Sequence, residues 1–171
     1  ESTTAYDVTL TDCTAIEPIF NDMYEGLSPR ALVVSAYKNV AVNNFTAIGD
    51  PLYDYKDNPV IALQYRSRNI SLNNITIRGF KKAGFDIRLY GGPQKTDNVN
   101  LSNFAFYKSA KQGIGIGGGV YSVNISNGIM EGEGGTYGIT SPNSQANINN
   151  VQTSGYSYAA MIKGNKYKFV P

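Results

Sequence analysis

The nonapeptide NISLNNITI, residues 69–77, contains the pattern on which the rest of the chain is built. Its apolar residues alternate as Ile70 and Leu72, and again as Ile75 and Ile77, with one extra residue between the two runs. A period of two places alternate side chains on opposite sides of a β-strand. The extra residue, Asn74, is of a type that tolerates the left-handed backbone of a bend. The stretch therefore predicts a strand, a bend and a second strand.

Related segments occur five more times along the chain. They are VTLTDCTAI, VAVNNFTAI, VNLSNFAFY, VNISNGIME and ANINNVQTS, and their bend positions are Asp12, Asn44, Asn103, Asn127 and Asn150. The intervals between successive bend positions are 32, 30, 29, 24 and 23 residues. A supersecondary unit repeated at such intervals is typical of a solenoid.

A further alternating segment precedes each of the five Asn bends, and one more follows the last bend. These segments are ALVVSA, VIALQY, FDIRLY, GIGIGG, YGITSP and AAMIKG. They complete an all-β fold, a right-handed single-stranded parallel β-helix of about six rungs with three short strands per rung. We expect residues 1–171 to form one domain and to be a fragment of a longer chain. Elaborated turns are expected at 17–30, where EPIFNDMYEGL is the one helix candidate, and at 49–59.

The bend residues should also bind one another. Stacked on successive rungs, their amide side chains can hydrogen-bond along the stack as an asparagine ladder, with Asp12 as its atypical first member. The predicted ladder consists of Asn44, Asn74, Asn103, Asn127 and Asn150.

The composition argues against several function classes. There are 15 Lys and Arg residues against 13 Asp and Glu, a net charge of +2 that favours neither nucleic acid nor an anionic membrane as a partner. No apolar run reaches the roughly 18 residues of a membrane span, and no signal peptide pattern is present. We expect no metal and no cofactor, because His is absent and the strand positions supply no outward acidic cluster.

The recurrent phrase N-[VI]-x-[VIL]-x-N-[FIV] resembles the rungs of β-helical bacteriophage tailspikes and receptor-binding depolymerases, and more distantly those of pectate lyase-like proteins. The resemblance covers most of the chain. It implies a homotrimer in the phage tail or outside the cell, which binds, and in enzymatic members cleaves, bacterial surface polysaccharide such as capsule or O-antigen. The shared residues are those of core and corners, so they carry the fold more strongly than the function.

Candidate catalytic residues are carboxylates, because glycoside hydrolysis needs two of them. In FDIRLY, inward Ile87 and Leu89 would place Asp86 outward with its strand neighbours. Glu131 and Glu133 occupy the turn that leads to the next rung and could approach Asp86 from above. The opposing interpretation is an ion pair of Asp86 on a solvated strand and a solvated Glu-Gly-Glu turn. Enzymatic activity is left open.

Candidate polysaccharide-binding residues lie on the same strands and in one loop. Arg88 and Tyr90 should point outward beside Gln64 of the preceding rung, while Tyr53 and Tyr55 belong to the excursion at 49–59. Aromatic rings can stack on sugars, but tyrosines serve subunit interfaces equally well.

Three functions therefore stay in competition at this point. The first is a tailspike-type segment that binds, and in the enzymatic case hydrolyses, bacterial surface polysaccharide. The second is a non-catalytic structural or adhesive shaft. The third is a secreted polysaccharide lyase or epimerase, for which Lys81, Lys82, Arg88 and Tyr90 are the basic or phenolic groups near one another in sequence.

Overall fold

The fold is described from a computed structural model that covers residues 5–17, 30–108, 110–141, 146–163 and 165–167. Among these residues all regular structure is β-strand. The strands are β1 (Ala5–Ile16), β2 (Leu32–Ser35), β3 (Tyr37–Ile48), β4 (Pro59–Gln64), β5 (Arg68–Arg78), β6 (Phe85–Tyr90), β7 (Thr96–Tyr107), β8 (Gln112–Ile116), β9 (Val120–Ser141), β10 (Ala146–Ile162) and β11 (Asn165–Tyr167).

The strands stack in two parallel columns. One column runs β1, β3, β5, β7 and β9, the other runs β2, β4, β6 and β8, and β9 is long enough to continue both. β10 then pairs with β9 in parallel along nearly its whole length. The predicted parallel β-solenoid is confirmed, and the six segments from ALVVSA to AAMIKG contain the second column's strands.

The register also follows the repeat. Val40 pairs with Ile70, Ile70 with Val99, and Val99 with Val123, so equivalent apolar positions of successive copies lie directly above one another. Stacking of like residues buries a continuous apolar interior, which is the main source of stability in a solenoid.

The number of turns differs from the prediction. The structure contains about four turns rather than six rungs. Six copies of the bent segment do stack, but a complete turn also needs its second strand and its return. The return after β1 falls at 18–29, outside the described residues, and β10 ends by pairing antiparallel with β11 instead of entering another turn. The helix candidate at 17–27 lies almost entirely outside the described residues, whereas residues 49–58 form a loop of turns and bends.

The bends have the backbone geometry that the sequence suggests. Asp12, Asn44, Asn74, Asn103, Asn127 and Asn150 all have φ between 51° and 55°. This left-handed region is unfavourable for most side chains and tolerated by Asn and Asp. At each bend the inside–outside alternation shifts by one residue, so the apolar side chains before and after it both face the interior.

Side-chain amides link these bends from rung to rung. Asn44 Nδ2 donates to Asp12 Oδ1 at 2.7 Å, Asn74 Nδ2 to Asn44 Oδ1 at 2.8 Å, and Asn150 Nδ2 to Asn127 Oδ1 at 2.9 Å. Asn103 departs from the predicted order. Its Nδ2 donates to Asn73 Oδ1 at 2.8 Å instead of to Asn74.

A second ladder, absent from the sequence prediction, lies five residues before the first. Its members are Asp7, Asn39, Asn69 and Asn98, each with φ between 53° and 56°. Nδ2 of Asn39, Asn69 and Asn98 donates to the Oδ1 one rung below at 2.9, 2.8 and 2.9 Å. The constant spacing of five residues between paired Asn or Asp positions was the available signal. The first five repeats therefore have two left-handed corners around a short straight segment, and in the fifth the earlier corner is Ser122, with φ of 52°.

In the interior, a large side chain on one rung is accommodated by a small residue at the equivalent position of the next rung. Phe45, Ile75, Phe104 and Gly128 occupy equivalent positions on successive rungs. A Cβ on Gly128 would lie 2.0 Å from Phe104 Cζ, so the ring of Phe104 fills the space that a side chain at 128 would otherwise need.

We expect Asn74→Ala to lower the free energy of unfolding by about 1–3 kcal/mol, because it removes a ladder hydrogen bond and puts a β-carbon without a compensating amide at a left-handed bend. Asn74→Gly should cost less, because glycine accepts that backbone without strain. Urea denaturation monitored by circular dichroism measures both values. Gln152→Ala, at an exposed position of β10 outside the left-handed set, is the control. An alanine variant as stable as the parent protein would contradict the assigned role.

Candidate functional site

One face of the solenoid carries an arginine among several aromatic side chains. It is built by β4, β6, β8 and the carboxyl-terminal halves of β9 and β10. In these strands Ile61, Ile87 and Ile114 are buried and in register, so the side chains of the residues that follow them lie on the opposite side of each strand. The register column of those following residues consists of Ala62, Arg88, Gly115, Thr140 and Met161, in which Ala62, Gly115 and Thr140 are buried and Arg88 and Met161 are partly exposed.

Arg88 is the centre of this face. Its guanidinium carbon lies 4.6 Å from the ring centroid of Phe85 and 4.6 Å from that of Tyr90. Cations at such distances are attracted by the electron-rich faces of aromatic rings. Two contacts of this kind hold the guanidinium between the rings, while its planar set of N–H donors can still bind oxygen atoms of a ligand. We call Phe85, Arg88 and Tyr90 the arginine cluster.

The rung above leaves space beside this cluster. A Cβ on Gly115 would lie 2.6 Å from Phe85 Cε1, so the Phe85 ring leans over a position without a side chain. A groove follows, and its walls include Phe85, Arg88, Gln112, Gly115, Tyr137 and Thr140. Tyr137 stacks on Tyr158 with ring centroids 5.5 Å apart, which extends the aromatic surface upward. Flat rings, amides and a guanidinium are the groups that bind sugars.

The predicted binding residues separate into two groups. Arg88 and Tyr90 lie partly exposed on this face, and Gln64 pairs in register with Tyr90 on the rung below. Phe85, Gln112 and Tyr158 were missed, because their outward orientation depends on where the alternation begins in each strand.

Tyr53 and Tyr55 are not part of the face. Tyr55 is buried, its ring lies 4.9 Å from that of Phe80, and its hydroxyl accepts a hydrogen bond from the Asp50 amide at 2.8 Å. Burial raises the pKa of Tyr55. Tyr53 packs edge-on against Tyr55 and is partly buried. The loop at 49–58 thus folds its tyrosines onto the core, and Tyr55 is enclosed rather than exposed as its predicted binding role requires.

The prediction that Asp86 points outward is also wrong. Asp86 has no exposed surface, and Oδ1 accepts a hydrogen bond from the Ala110 amide at 3.2 Å. Two successive residues, Asp86 and Ile87, face the interior, as Val60 and Ile61 do one rung below. The chain shifts its alternation here without an Asn to mark the bend. A carboxylate enclosed in this way cannot reach a polysaccharide on the surface.

Asp86 shares the interior with Tyr156. A Cβ on Gly113, between Asp86 and the upper rungs, would lie 2.4 Å from the Gly138 carbonyl oxygen, 2.8 Å from Met130 Sδ and 3.3 Å from the Tyr156 hydroxyl, so the absence of a side chain at 113 makes room for all three groups. Burial raises the pKa of Tyr156, and the nearby charge of Asp86 adds to the shift. The phenol is therefore protonated at neutral pH, and both groups belong to the internal packing.

Glu131 and Glu133 lie in the middle of β9, where the part that pairs with β7 ends and before the part that pairs with β8 begins. Glu131 is partly buried at the level of Tyr107. Glu133 is exposed and forms an ion pair with Lys81 at 2.8 Å. The hydrogen bond from Lys81 holds the pKa of Glu133 below its usual value, whereas a general acid needs a raised one. With Asp86 inside, the three predicted catalytic carboxylates do not form a common site on the outer face.

Two further features are absent from the described part of the chain. No group of three His, Cys, Asp or Glu side chains there could hold a metal ion. That part likewise contains no helix of the length and apolarity that crossing a membrane requires.

Comparison with known proteins finds this solenoid similar to segments of phage and phage-related proteins. The chain is 66% identical over 171 residues to the phage-related protein YobO of Bacillus subtilis strain 168, covering all of this chain and 21% of that protein. It is 32% identical over 177 residues to the pre-neck appendage protein of Bacillus phage phi29, covering 98% of this chain and 20% of that protein. The chain is homologous to a segment of the phage pre-neck appendage proteins.

A solved appendage structure has the same fold. The crystal structure of pre-mature bacteriophage phi29 gene product 12 matches with a TM-score of 0.89 and 30% identity, over 98% of this chain and 22% of that chain. No family model matches the chain. The solenoid spans about a fifth of the length of its appendage relatives. The resemblance to phage β-helices is thereby supported at the level of phage appendages.

We expect the Lys81–Glu133 pair to stabilise the folded protein at neutral pH and to lose this effect in acid. Because the pKa of Glu133 is lowered in the folded state, the stabilisation is present above the ordinary value of 4.5 and disappears as the pH falls through the lowered value. The urea midpoint of Glu133→Gln should lie slightly below that of the parent at pH 7, and the two should coincide once the pH is below the lowered pKa of Glu133. Glu131→Gln, which removes one negative charge nearby, is the control. A difference that widens in acid would contradict the assignment.

Proposed function

We propose that this solenoid forms part of a phage virion appendage that binds bacterial surface polysaccharide through the arginine cluster during host recognition. The observation that carries the proposal is the position of the Arg88 guanidinium between two aromatic rings, next to Gly115, which has no side chain. Stacked rings orient the guanidinium before a ligand arrives, which lowers the ordering cost of binding. Homology to phage appendage proteins supports a location on the virion.

Binding has more support than cleavage. Hydrolysis would need two carboxyl groups within about 5–9.5 Å on a surface that polysaccharide can reach. Of the predicted candidates, Asp86 is enclosed and Glu133 is held ionised by Lys81. A lyase or epimerase has less support still, because Lys81 is engaged in that ion pair and Arg88 is held between rings.

The proposed binding role predicts that Arg88→Ala loses affinity for polysaccharide. We expect affinity for a recognised capsule or O-antigen to fall at least about tenfold, since a guanidinium hydrogen-bonded to ligand contributes about 1.5–3 kcal/mol. Isothermal titration against purified polysaccharides from a panel of bacteria measures the effect. Arg78→Ala, which removes an exposed arginine at the end of β5, is the matched control. If Arg88→Ala binds every polysaccharide as tightly as the parent protein does, the arginine cluster is not the binding site. If the protein releases reducing ends from a polysaccharide, the hydrolase hypothesis is supported again.

A second, structural role is favoured by a different face. Between its two corners the first column presents only small or uncharged polar side chains outward: Thr9, Thr11, Ala41, Asn43, Ser71, Asn73, Asn100, Ser102, Asn124, Ser126, Asn147 and Asn149. Copies of this surface, the uncharged face, can meet without burying like charges, whose desolvation would be costly. Some of its amides already bind one another, such as Asn124 Nδ2 to Asn100 Oδ1 at 2.9 Å. We propose this face as the contact of a homotrimer.

We expect the parent protein to sediment as a species of three times the 18.6-kDa chain mass, and Ser126→Arg to sediment as a monomer. The new guanidinium would have to lose its water at the contact without a partner. Gln94→Arg, on an exposed loop away from this face, should keep the mass of the parent. A parent protein that sediments as a monomer, or an unchanged mass for Ser126→Arg, would exclude the uncharged face as the contact.

A further inference from the structure

A groove at another corner of the solenoid concentrates positive charge. Its walls are Lys38, Arg66, Arg68, Pro93, Gln94 and Lys95, and we call this site the basic groove. Four of these six residues are cationic, in a chain whose net charge is only +2. The arginine cluster and the uncharged face use none of them.

Residues from successive rungs form one side of the basic groove. Tyr6, Lys38, Arg68, Asp97 and Tyr121 occupy equivalent positions in β1, β3, β5, β7 and β9. Lys38 and Arg68 therefore sit on adjacent rungs, about 4.8 Å apart along the axis. Each lies directly before a member of the second ladder, Asn39 or Asn69, so the left-handed corner turns them away from the straight segment.

The remaining cations come from two loops that are tied to each other. The Arg66 amide donates to the Gln94 carbonyl at 2.9 Å, and the Asp97 amide donates to the Ser67 carbonyl at 3.0 Å. Tyr65 and Arg66 both have left-handed backbones, with φ of 42° and 61°. The loops that carry Arg66 and Lys95 are thus held at a defined separation, and the groove is formed before any ligand binds.

Three cations of the groove lie outside the ion pairs that join Lys81 to Glu133 and Lys111 to Asp57. Neither of these pairs involves Lys38, Arg68 or Lys95. Asp97 is the acid beside Arg68, and its Oδ1 accepts the Asn98 amide at 2.8 Å. Like charges held close together in this way attract anions.

Tyrosine rings lie at both ends of the charged row. Lys38 Nζ is 4.9 Å from the ring centroid of Tyr6, and Lys95 Nζ is 5.4 Å from that of Tyr121. Both rings stay accessible, with Tyr6 57% and Tyr121 49% exposed. Between the two rings the row contains Lys38, Arg68 and Asp97, and the loops add Arg66 and Lys95, so cations outnumber the single acid. Such a combination of positive charge and rings matches a polymer that carries both negative charge and flat apolar sugar faces.

We propose that the basic groove binds an acidic carbohydrate chain lying along the solenoid axis. Negatively charged groups of the chain bind Lys38 and Arg68, and its sugar rings pack on Tyr6 and Tyr121. The inference rests on the polysaccharide-binding function proposed above and names a chemical class for one of its ligands. It locates that ligand away from the arginine cluster.

The test compares four polymers by titration with the protein. Polygalacturonate supplies carboxylates on sugars, phosphomannan supplies phosphates on sugars, dextran supplies sugars without charge, and polyphosphate supplies charge without sugars. We expect binding of one or both acidic carbohydrates, with affinity that falls as salt is raised, because exposed charges are screened within about 8–10 Å. The preferred acidic polymer identifies carboxylate or phosphate as the recognised group.

Variants then locate the site. The double variant Lys38→Gln, Arg68→Gln should bind the acidic carbohydrate at least about tenfold more weakly and with a smaller salt dependence. The double variant Arg78→Gln, Lys108→Gln loses the same charge elsewhere on the surface and should keep the parent affinity. Tyr121→Leu should weaken binding of the acidic carbohydrate and leave any binding of polyphosphate unchanged. Thermal unfolding of each variant verifies that it is folded.

Three results would overturn the inference: no binding of either acidic carbohydrate, equal losses in the two double variants, or equal affinity for polyphosphate and acidic sugars with no effect of Tyr121→Leu. The proposed function is judged separately, by adhesion of the parent protein and of Arg88→Ala to intact bacteria. Adhesion that depends on Arg88 together with an inactive basic groove would remove this inference alone. Absence of adhesion to every strain would remove the proposed function.

Discussion

The left-handed bend at Asn or Asp is the constraint on which the rest of the solenoid depends. At φ near 54° the strand turns a corner and its alternation shifts by one residue, so apolar side chains on both sides of the bend reach the same interior. Asn tolerates this backbone, and its amide both donates and accepts hydrogen bonds. The 2.7–2.9 Å links between successive bends keep the corners stacked, and the corners keep the rungs in register.

Because two such corners flank each straight segment, the outer surface is divided into strips with different chemistry. The straight segment presents the uncharged face. The residues before the second ladder present Lys38 and Arg68, and the second column presents the arginine cluster. Each strip runs along the axis, since equivalent residues lie directly above one another. A solenoid can therefore carry a subunit contact and separate binding surfaces on one short chain, which suits the long, repetitive ligands and symmetric assemblies proposed for it.

The interior explains why the candidate enzyme site does not assemble. Asp86 belongs to β6, a second-column strand in which the inside–outside alternation shifts by one residue without an Asn. Its side chain is therefore buried, in the part of the interior that also contains Gly113 and Tyr156. Phe104 above Gly128 follows the same principle, in which a missing side chain on one rung accommodates a large one on the next. In a close-packed solenoid these compensations act between residues some 24–43 positions apart in sequence, so local patterns do not reveal them.

The sequence by itself determined the parallel solenoid, the stacked repeats and the second-column strands, because period-two alternation interrupted at regular intervals has few other solutions. It also contained the second ladder, through the five-residue spacing of Asn39 to Asn44 and of Asn69 to Asn74. Only the tertiary structure decided that Asp86 and Tyr55 are enclosed, that Phe85 leans over Gly115, and that Lys38, Arg68 and Lys95 share a groove. The physical reason is that these outcomes depend on how loops of different length close and on which rung lies above which. Alternation within a single strand specifies neither.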